Sequence, residues 1–501
     1  MALEAIQNRA AGYAFLIEQC RLNVLPNWHT SSVSPIGTLR STIQGGLVES
    51  VYPQSYWPGD RIGDHLEFAL KYDGTNLGIL SALFEAVVLE DIADWIRSKP
   101  TGKYARRIWF LYEFLTERKL PLPDLTKGNY IELLDANRYY TAVPGQRAQR
   151  QRIINNLLGS QDFCPVIRRT EKLAAMEEID LRKRCEDVAA AYPPELLRRA
   201  LSYLYSKETK SSFEIEHIRP GASRTEKFIG LLEMAERRDF CEKPLLIEVQ
   251  NRIVDPRFQD SEYRATQNYV GQAISYQRQL VHYVCPKPED ISELMNGLIT
   301  AHGIMKEGAL PAVIHAAAIS YGFVFLHPFE DGNGRIHRFL IHNILSLRGA
   351  IPKGLMFPVS AAMLKNPALY DYSLEAFSIP LVRLVEYDLD ELGRMTVPGE
   401  TDRWYRYIDM TAQAEALYDF VGLTIEHELV EELDFLASYD KAKQAIREIV
   451  DMPDRLIDLF IQLCLQGGGR LSVKKRESHF SFLTDEEWSR MEDAVRTEYK
   501  R

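Results

Sequence analysis

Residues 309–328 constrain the fold more than any other stretch, because they contain no Asp, Glu, Lys or Arg. A helix of that length could cross a bilayer. The stretch also contains Pro311, His315 and Gly322, however, and it continues directly into a strongly charged loop. We therefore predict a helix in a protein core, which begins at Pro311, ends at Gly322 and presents the loop. We expect His315 to be a core histidine, and we do not expect a membrane to be a partner.

Helical periodicity dominates the rest of the chain. Apolar residues recur three and four positions apart over 77–95, 103–118 and 195–204, whereas few stretches alternate in the manner of a strand. The hydrophobic and charged fractions of 46% and 26% are those of a globular protein and exclude disordered, collagen-like and coiled-coil chains. The sequence therefore predicts a mainly α fold class.

The clearest candidate for a strand is the segment 269–283, where Val270, Ile274 and other apolar residues surround Gly271. The segment ends at the proline-containing sequence 285–289. The pattern is equally consistent with a short β-hairpin and with a loop held by aromatic anchors.

Breaks in the helical pattern divide the 501 residues into three regions. The break at 189–194 contains two consecutive prolines, each of which disfavours helix in the residue before it. A second break lies near 396–400. We expect a helical N-terminal domain, a central core and a helical C-terminal region, over 1–188, 189–395 and 396–501.

The formal net charge of −10 argues against a general binder of polyanions. The segment 454–498 predicts a helix, a glycine turn, a basic helix and a capped helix, and it resembles a helix-turn-helix or winged helix. DNA binding through this segment and a solvated basic face are both open, because no pattern that recognises bases is visible. Scattered cysteines without a CxxC pair, and an amino terminus without a basic and apolar leader, favour a cytoplasmic location.

The loop that follows the uncharged stretch, residues 327–338, is here called the signature loop. Gly332, Asn333 and Gly334 stand at the start of a second predicted helix, where free backbone N–H groups favour an anion. Glycine also lets a phosphate approach the backbone, because no Cβ intervenes. Apolar residues at helical spacing follow, and Gly349 is expected to stop this helix.

The remaining polar residues of the signature loop suit phosphate chemistry. Arg335 and Arg338 lie three residues apart on one helix face and can bind phosphate oxygens in a bidentate manner. Asp331 is a hard oxygen ligand of the kind that Mg²⁺ prefers. His327 titrates near neutrality and can take a proton from a hydroxyl nucleophile. We predict a site of phosphoryl or nucleotidyl transfer, with Phe329 anchoring the loop in the core.

The signature loop matches H-x-F-x-D/E-G-N-G-R-x-x-R, and it therefore resembles the Fic domains, which carry this signature. The resemblance implies a Fic-type helical core with a small β-hairpin flap, flanked by helical N- and C-terminal regions. It also implies transfer of AMP from ATP–Mg²⁺ to a Ser, Thr or Tyr hydroxyl of a target protein. The resemblance implies that His327 is the general base and that Asp331 is the Mg²⁺ ligand. It implies a cradle for the α- and β-phosphates at Gly332 to Gly334, and ligands of the outer phosphates at Arg335 and Arg338.

The segment 205–219 resembles the inhibitory helix of regulated Fic proteins, with Ser212 and Glu216 at i, i+4 spacing. In that family the glutamate pairs with the second arginine of the signature, here Arg338, and denies it to the γ-phosphate. His217 stands where the family has glycine or asparagine, at a position expected to end the helix in a left-handed conformation. A short, solvated acidic helix is the alternative.

The resemblance extends to two further features. The hairpin candidate stands where Fic proteins place a flap that binds the target backbone as an added strand, with candidate contacts at Gly271, Ile274 and Tyr276. Tyr370 and Tyr372 resemble aromatic residues that the family places near the adenine, although core tyrosines are common.

Three classes of function are open from the sequence. The first is an AMP-transferring enzyme, which Asp331 and the two arginines favour because they suit ATP–Mg²⁺. The second is another Fic chemistry, namely AMP removal or the transfer of phosphate or phosphocholine. The third is a DNA-associated regulator. Self-modification and a homodimer are also open.

Overall fold

The structure is a computed structural model that describes residues 8–275 and 278–499. Helices predominate in these ranges and the strands are short, so the predicted mainly α fold class is confirmed. Over the same ranges, no helix combines the length and the apolar character that crossing a membrane requires.

The first part of the chain places two small sheets among its helices. Its elements are β1 (Arg9–Ala11), α1 (Tyr13–Cys20), β2 (His29–Ser34), β3 (Arg40–Gln44), β4 (Leu47–Pro53), α2 (Ile62–Phe68), α3 (Leu77–Ala86), α4 (Leu89–Ser98), α5 (Lys103–Thr116), β5 (Ile131–Glu132), β6 (Gln146–Ala148), β7 (Ile153–Asn155) and α6 (Glu171–Glu177). The sheets have the orders β1-β2-β4-β3 and β5-β7-β6. Helical patterning did not predict them, because strands this short show too little alternation of apolar and polar residues.

The middle of the chain contains the segments that the sequence singled out. Its elements are α7 (Leu181–Ala190), α8 (Pro194–Glu214), α9 (Ala222–Met234), α10 (Lys243–Ile253), β8 (Tyr269–Ser275), β9 (Arg278–Val284), α11 (Pro288–Glu307), α12 (Ala312–Leu326) and α13 (Asn333–Leu347). Strands β8 and β9 pair in antiparallel fashion, so the segment is a hairpin rather than an irregular loop.

The last part of the chain is helical apart from one two-stranded ribbon. Its elements are α14 (Val359–Lys365), α15 (Pro367–Val382), β10 (Asp388–Leu389), β11 (Met395–Thr396), α16 (Asp402–Arg406), α17 (Thr411–Leu423), α18 (Leu429–Ile449), α19 (Asp454–Gln466), α20 (Val473–His479) and α21 (Asp485–Glu498). Helices α19 to α21 follow the predicted order, and a capping box at Thr484 and Glu487 begins α21.

The chain divides into two compact units, each made of separate stretches of sequence. The first comprises the described residues of Met1–Ile179, Gly221–Ala350 and Asn366–Asp419. The second comprises those of Asp180–Pro220, Ile351–Lys365 and Phe420–Arg501. The signature loop and the β8–β9 hairpin belong to the first unit, and α8 belongs to the second.

Helix α12 is the buried helix that the uncharged stretch predicted, and it packs against α11 and α13. All of its residues except Ala312 and Val324 are buried. The prediction that it ends at Gly322 is wrong, because the helix continues to Leu326. A Cβ atom at Gly322 would lie 2.7 Å from Phe163 Cζ. This glycine therefore permits close packing in mid-helix and does not act as a stop signal.

The β8–β9 hairpin contains irregularities of register on either side of its centre, one of them between Val270 and Gly271. A Cβ atom at Gly271 would lie 2.6 Å from the carbonyl oxygen of Leu280, so the close approach of the two strands requires glycine. Ile274 is 56% exposed. Tyr276, the third predicted flap contact, lies outside the described residues.

Candidate functional site

His327 is the residue at which α12 ends, in the left-handed conformation with φ 49° and ψ 56°. Its Nδ1 lies 3.2 Å from the carbonyl oxygen of Val324. Because a carbonyl only accepts, Nδ1 carries the proton and Nε2 of the neutral ring keeps its lone pair. Burial and then the nearby Arg264 guanidinium lower the pKa of His327 to about 4, so the ring is neutral at pH 7. A neutral imidazole in this tautomer can accept a proton at Nε2.

Asn333 folds the signature loop around its own backbone. Its Oδ1 accepts a hydrogen bond from the backbone N–H of Phe329 at 3.0 Å, and its Nδ2 donates to the carbonyl of the same residue at 2.7 Å. Phe329 is fully buried and its ring contacts Tyr263, which confirms its expected role as an anchor. Both polar atoms of the Asn333 side chain are therefore used to hold the loop.

The residues of the predicted cradle, Gly332 to Gly334, lie at the N-terminus of α13. Gly332 precedes the helix with φ 92°, a conformation that favours glycine. A Cβ atom there would also lie 3.0 Å from Val254 Cγ1. The first turn of α13, from Asn333 and Gly334 onward, presents backbone N–H groups without helical partners, as an anion site requires.

Arg335 braces the signature loop in this structure. Its side chain is fully buried; Nη1 donates to the carbonyl of Ile253 at 3.0 Å and Nη2 to Asp331 Oδ1 at 2.6 Å. The backbone N–H of Gly332 also donates to Asp331 Oδ1. The Asp331 side chain is 41% exposed. A half-exposed carboxylate beside an anion cradle suits Mg²⁺, which proteins commonly hold through one or two carboxylates and the substrate phosphates.

Arg338 lies one turn further along α13, and its side chain is also buried. Its Nη1 is 3.4 Å from the hydroxyl of Tyr370, which is 8% exposed. Tyr372 is 55% exposed on the same helix, α15. Of the two predicted adenine contacts, Tyr370 lies beside Arg338.

The predicted inhibitory residues lie in the second unit. Ser212 is fully buried in the last turns of α8. That helix ends at Glu214, so Glu216 lies in the turn that follows and is half-buried. His217 has φ 56°, the left-handed conformation expected at the end of this segment.

Two polar side chains of the site were missed by the sequence analysis. Arg264 is buried and donates from Nε to the carbonyl of His327 at 2.8 Å. Gln250 on α10 donates to the carbonyl of Asp331 at 3.4 Å. Both bonds join residues more than sixty positions apart, and neither residue stands in a periodic pattern or a motif. No signal in the sequence could have found them.

Two other kinds of site receive no support. In the ranges 8–275 and 278–499, no group of three or more His, Cys, Asp or Glu residues could hold a metal ion by itself. In the C-terminal region, α21 begins with Asp485, Glu486 and Glu487. These carboxylates would repel DNA phosphates if α21 entered a groove, and basic α20 is only seven residues long.

Comparison with known proteins identifies part of the chain. Residues 240–345 match the model of the Fic/DOC family. The chain is 32% identical to the protein adenylyltransferase Fic of Aedes aegypti over 122 residues, which are 24% of this chain and 22% of that protein. For the protein of the same name from Nematostella vectensis, identity is 32% over 115 residues, 22% of this chain and 24% of that protein. The chain therefore spans less than a quarter of the length of these relatives.

A solved structure was also found among the similar proteins. The crystal structure of a Fic family protein from Desulfovibrio desulfuricans G20 is similar with a TM-score of 0.37 and 16% identity, over 56% of this chain and 80% of that one. The family match contains both the β8–β9 hairpin and the signature loop. The resemblance to Fic domains is confirmed for residues 240–345.

Proposed function

We propose, from the Fic/DOC domain at residues 240–345, that this chain is a protein adenylyltransferase. It would transfer AMP from ATP–Mg²⁺ to a Ser, Thr or Tyr hydroxyl of a target protein. The proposal is carried by the arrangement of the signature loop in the region that matches the family. His327 has an Nε2 that can accept a proton, and the loop that follows it leads to the N-terminus of α13 at Gly332. The adenylyltransferase names of the matching relatives support the same chemistry.

In the proposed reaction His327 Nε2 accepts the proton of the target hydroxyl as its oxygen attacks the α-phosphorus. The bond from this oxygen to phosphorus forms, the bond between phosphorus and the α–β bridging oxygen breaks, and pyrophosphate leaves. The backbone N–H groups at the start of α13 stabilise the charge that develops on the phosphates.

We propose that Arg338 binds an outer phosphate, and that Asp331 would hold Mg²⁺. The ion, when bound, supplies neutralising charge to the phosphates. Arg335 could reach an outer phosphate only by exchanging its bonds to Ile253 and Asp331, so its contribution in the bracing conformation is to orient the carboxylate of Asp331. Tyr370, beside Arg338, is a better candidate than exposed Tyr372 for contact with the adenine.

We further propose that Ser212 and Glu216 form an inhibitory segment, in which Glu216 competes with the γ-phosphate for Arg338. A carboxylate and a phosphate compete directly for one guanidinium fork. The left-handed conformation of His217 supports this, because the family places glycine or asparagine at that position.

We propose the β8–β9 hairpin as the surface that holds the target, through Gly271 and Ile274 as an added strand. Self-modification, a homodimer and a cytoplasmic location belong to the same proposal, as does the division into the regions 1–188, 189–395 and 396–501. The six free cysteines support a reducing compartment.

Labelled nucleotides test this function. The full chain is incubated with Mg²⁺, a cell lysate and ATP labelled at the α-phosphate, and transfer to protein is measured. We expect transfer by the wild type, none by His327→Ala and more by Glu216→Gly. Label from γ-labelled ATP would indicate phosphate transfer, label from CDP-choline would indicate phosphocholine transfer, and release of AMP from labelled protein would indicate AMP removal. An unchanged rate in Glu216→Gly would contradict the inhibitory segment.

A further inference from the structure

We propose that Arg264 is a positioning residue that ties the root of the β8–β9 hairpin to the catalytic base, so that the hairpin and His327 move as one body. The proposal rests on the proposed function, in which the hairpin holds the target and His327 removes its proton. It is carried by the hydrogen bonds of one buried guanidinium group.

On one side, Arg264 holds the signature loop. Its Nε donates to the carbonyl of His327 at 2.8 Å, and its backbone N–H donates to the carbonyl of Pro328 at 2.8 Å. One residue thus fixes both peptide groups that follow the imidazole. This matters because His327 is in the left-handed conformation, which is unfavourable for a residue with a Cβ and is kept only by surrounding contacts.

On the other side, Arg264 holds the hairpin. Its Nη1 donates to the carbonyl of Thr266 at 2.6 Å and its Nη2 to that of Pro286 at 2.5 Å. These two residues flank the hairpin, whose strands begin at Tyr269 and end at Val284. The same guanidinium group therefore joins both ends of the hairpin to the base.

A second contact runs in parallel. The Tyr283 hydroxyl, near the end of β9, donates to the carbonyl of Phe325 in the last turn of α12. The Tyr405 hydroxyl donates to the carbonyl of Val284 at 2.7 Å. The end of β9 is thus held on α12, which presents His327, by Tyr283 and on α16 by Tyr405. A target strand added to the hairpin would therefore meet a base whose position is already set, which is the preorganisation that proton transfer requires.

The chemistry of arginine suits this role. Three side-chain N–H groups point in different directions to three carbonyls, whereas a lysine ammonium could not span them. Carbonyls are neutral, so these bonds leave the positive charge of Arg264 to act on the imidazole. Burial, and secondly this charge, lower the pKa of His327, and the carboxylate of Asp331 acts in the opposite direction.

The proposal is tested without nucleotide, in the full chain, by two measurements on Arg264→Gln and Arg264→Lys. The first is the NMR titration of His327, assigned with His327→Gln. The second is hydrogen exchange of the backbone amides of β8 and β9. We expect the pKa of His327 to rise on the order of 1 in Arg264→Gln, and exchange of the hairpin amides to become faster in both variants.

Arg348→Lys is the matched control. Arg348 likewise donates to several backbone carbonyls, including those of Met305 and Leu310, in the same unit and away from the signature loop. We expect it to lower stability and to leave the titration of His327 and the hairpin exchange unchanged. If the hairpin amides of Arg348→Lys exchanged as fast as those of the Arg264 variants, Arg264 would only stabilise the unit in general, and the proposal would be wrong.

Kinetics provide the third readout. We expect Arg264→Lys to lower kcat for AMP transfer about 10- to 100-fold with little change in the KM for ATP, because only the base and the hairpin are displaced. A lysine variant with wild-type kcat and wild-type hairpin exchange would overturn the proposal. If the wild type transfers no AMP while the NMR and exchange effects appear, the connection holds and the proposed function fails. If Arg264→Gln does not fold, the lysine variant decides.

Discussion

At the scale of the residue, the candidate site is held mainly by buried polar side chains that bind backbone groups. Asn333 uses both polar atoms on Phe329, Arg335 uses two nitrogens on Ile253 and Asp331, and Arg264 uses three on carbonyls. The geometry of the candidate site is thus set by groups whose polar atoms are bonded within the protein.

Asn333→Ala is expected to destabilise the first unit by about 1–3 kcal/mol, since two buried backbone groups of Phe329 lose their partner. It should also abolish ATP binding, because the loop that shapes the cradle opens. Asn343→Ala is the control, since Asn343 is equally buried and bonds Phe240 and Ala235 away from the loop. Asn343→Ala should lower the free energy of unfolding by a similar amount and leave the affinity for ATP unchanged. Urea unfolding measures the stability, and nucleotide titration measures the affinity.

The low pKa of His327 predicts an unusual pH profile. The base must be unprotonated, and a pKa of about 4 means that it is so throughout the neutral range. We expect the limb of kcat/KM that reports this base to be flat from about pH 6 to 8 and to fall only towards pH 4. An ordinary histidine would give half-maximal activity near 6.5. A fall centred there would contradict the lowered pKa of this ring.

At the scale of the element, helix α12 shows how packing decides what a glycine does. The ideal Cβ at Gly322 would meet Phe163 and Leu298, at 2.7 Å and 2.8 Å. A Cβ atom at Gly303, about one turn before the end of α11, would meet nothing within 4 Å. The same residue type in two adjacent helices is therefore required by contacts at one position and is only a weak helix former at the other.

Gly322→Ala should destabilise the chain by about 1–3 kcal/mol, because overpacking outweighs the better helix propensity of alanine. Gly303→Ala should instead stabilise it by about 0.5–1 kcal/mol. Thermal unfolding of both variants measures the difference. If Gly322→Ala also stabilised the chain, α12 and its neighbours would have to separate enough to admit a methyl group.

At the scale of the whole molecule, the first unit is joined by contacts between distant segments. His302 Nε2 lies 2.9 Å from Asp239 Oδ2, and Lys306 donates to the same oxygen at 2.7 Å. His302 Nδ1 is 3.1 Å from Nε2 of buried His315. His315 is therefore the core histidine that was expected, and it belongs to a network that joins α11 and α12 to the segment before α10.

Asp239 makes this network sensitive to acid. Burial would raise the pKa of its carboxyl, but hydrogen bonds from His302 and Lys306 outweigh burial and hold the pKa well below its usual range. A depressed folded pKa adds stability that is complete above the unfolded pKa, near 3.9, and is lost as the pH falls through the folded value.

Asp239→Asn should therefore lower the free energy of unfolding by about 1–3 kcal/mol at pH 7. The difference in the free energy of unfolding between this variant and the wild type should become smaller as the pH falls below about 4. Urea unfolding at pH 7, 5 and 3 measures it. Asp451→Asn, which removes an exposed carboxylate, is the control. A difference that stays constant over this range would exclude the ionised Asp239 as the source of the stability.

The sequence by itself determined the order of helix, loop and helix in α12, the signature loop and α13, though not the end of α12, because start signals and the spacing of the signature residues are local in the chain. The sequence also narrowed the segment 269–283 to a hairpin or a loop, and it predicted the left-handed conformation of His217. Local patterns of this kind persist in the fold, since capping and periodicity act over a few residues.

Only the tertiary structure decided what surrounds these elements. The close packing of Gly322 against Phe163, the bond of Arg335 to Ile253 and the bonds of Arg264 to His327 all join residues distant in sequence. The two small sheets before α6 are of the same kind, because strand pairing leaves little periodic trace in strands this short. Buried hydrogen bonds must be satisfied by whichever partner the fold brings near, and that partner has no fixed position in the sequence.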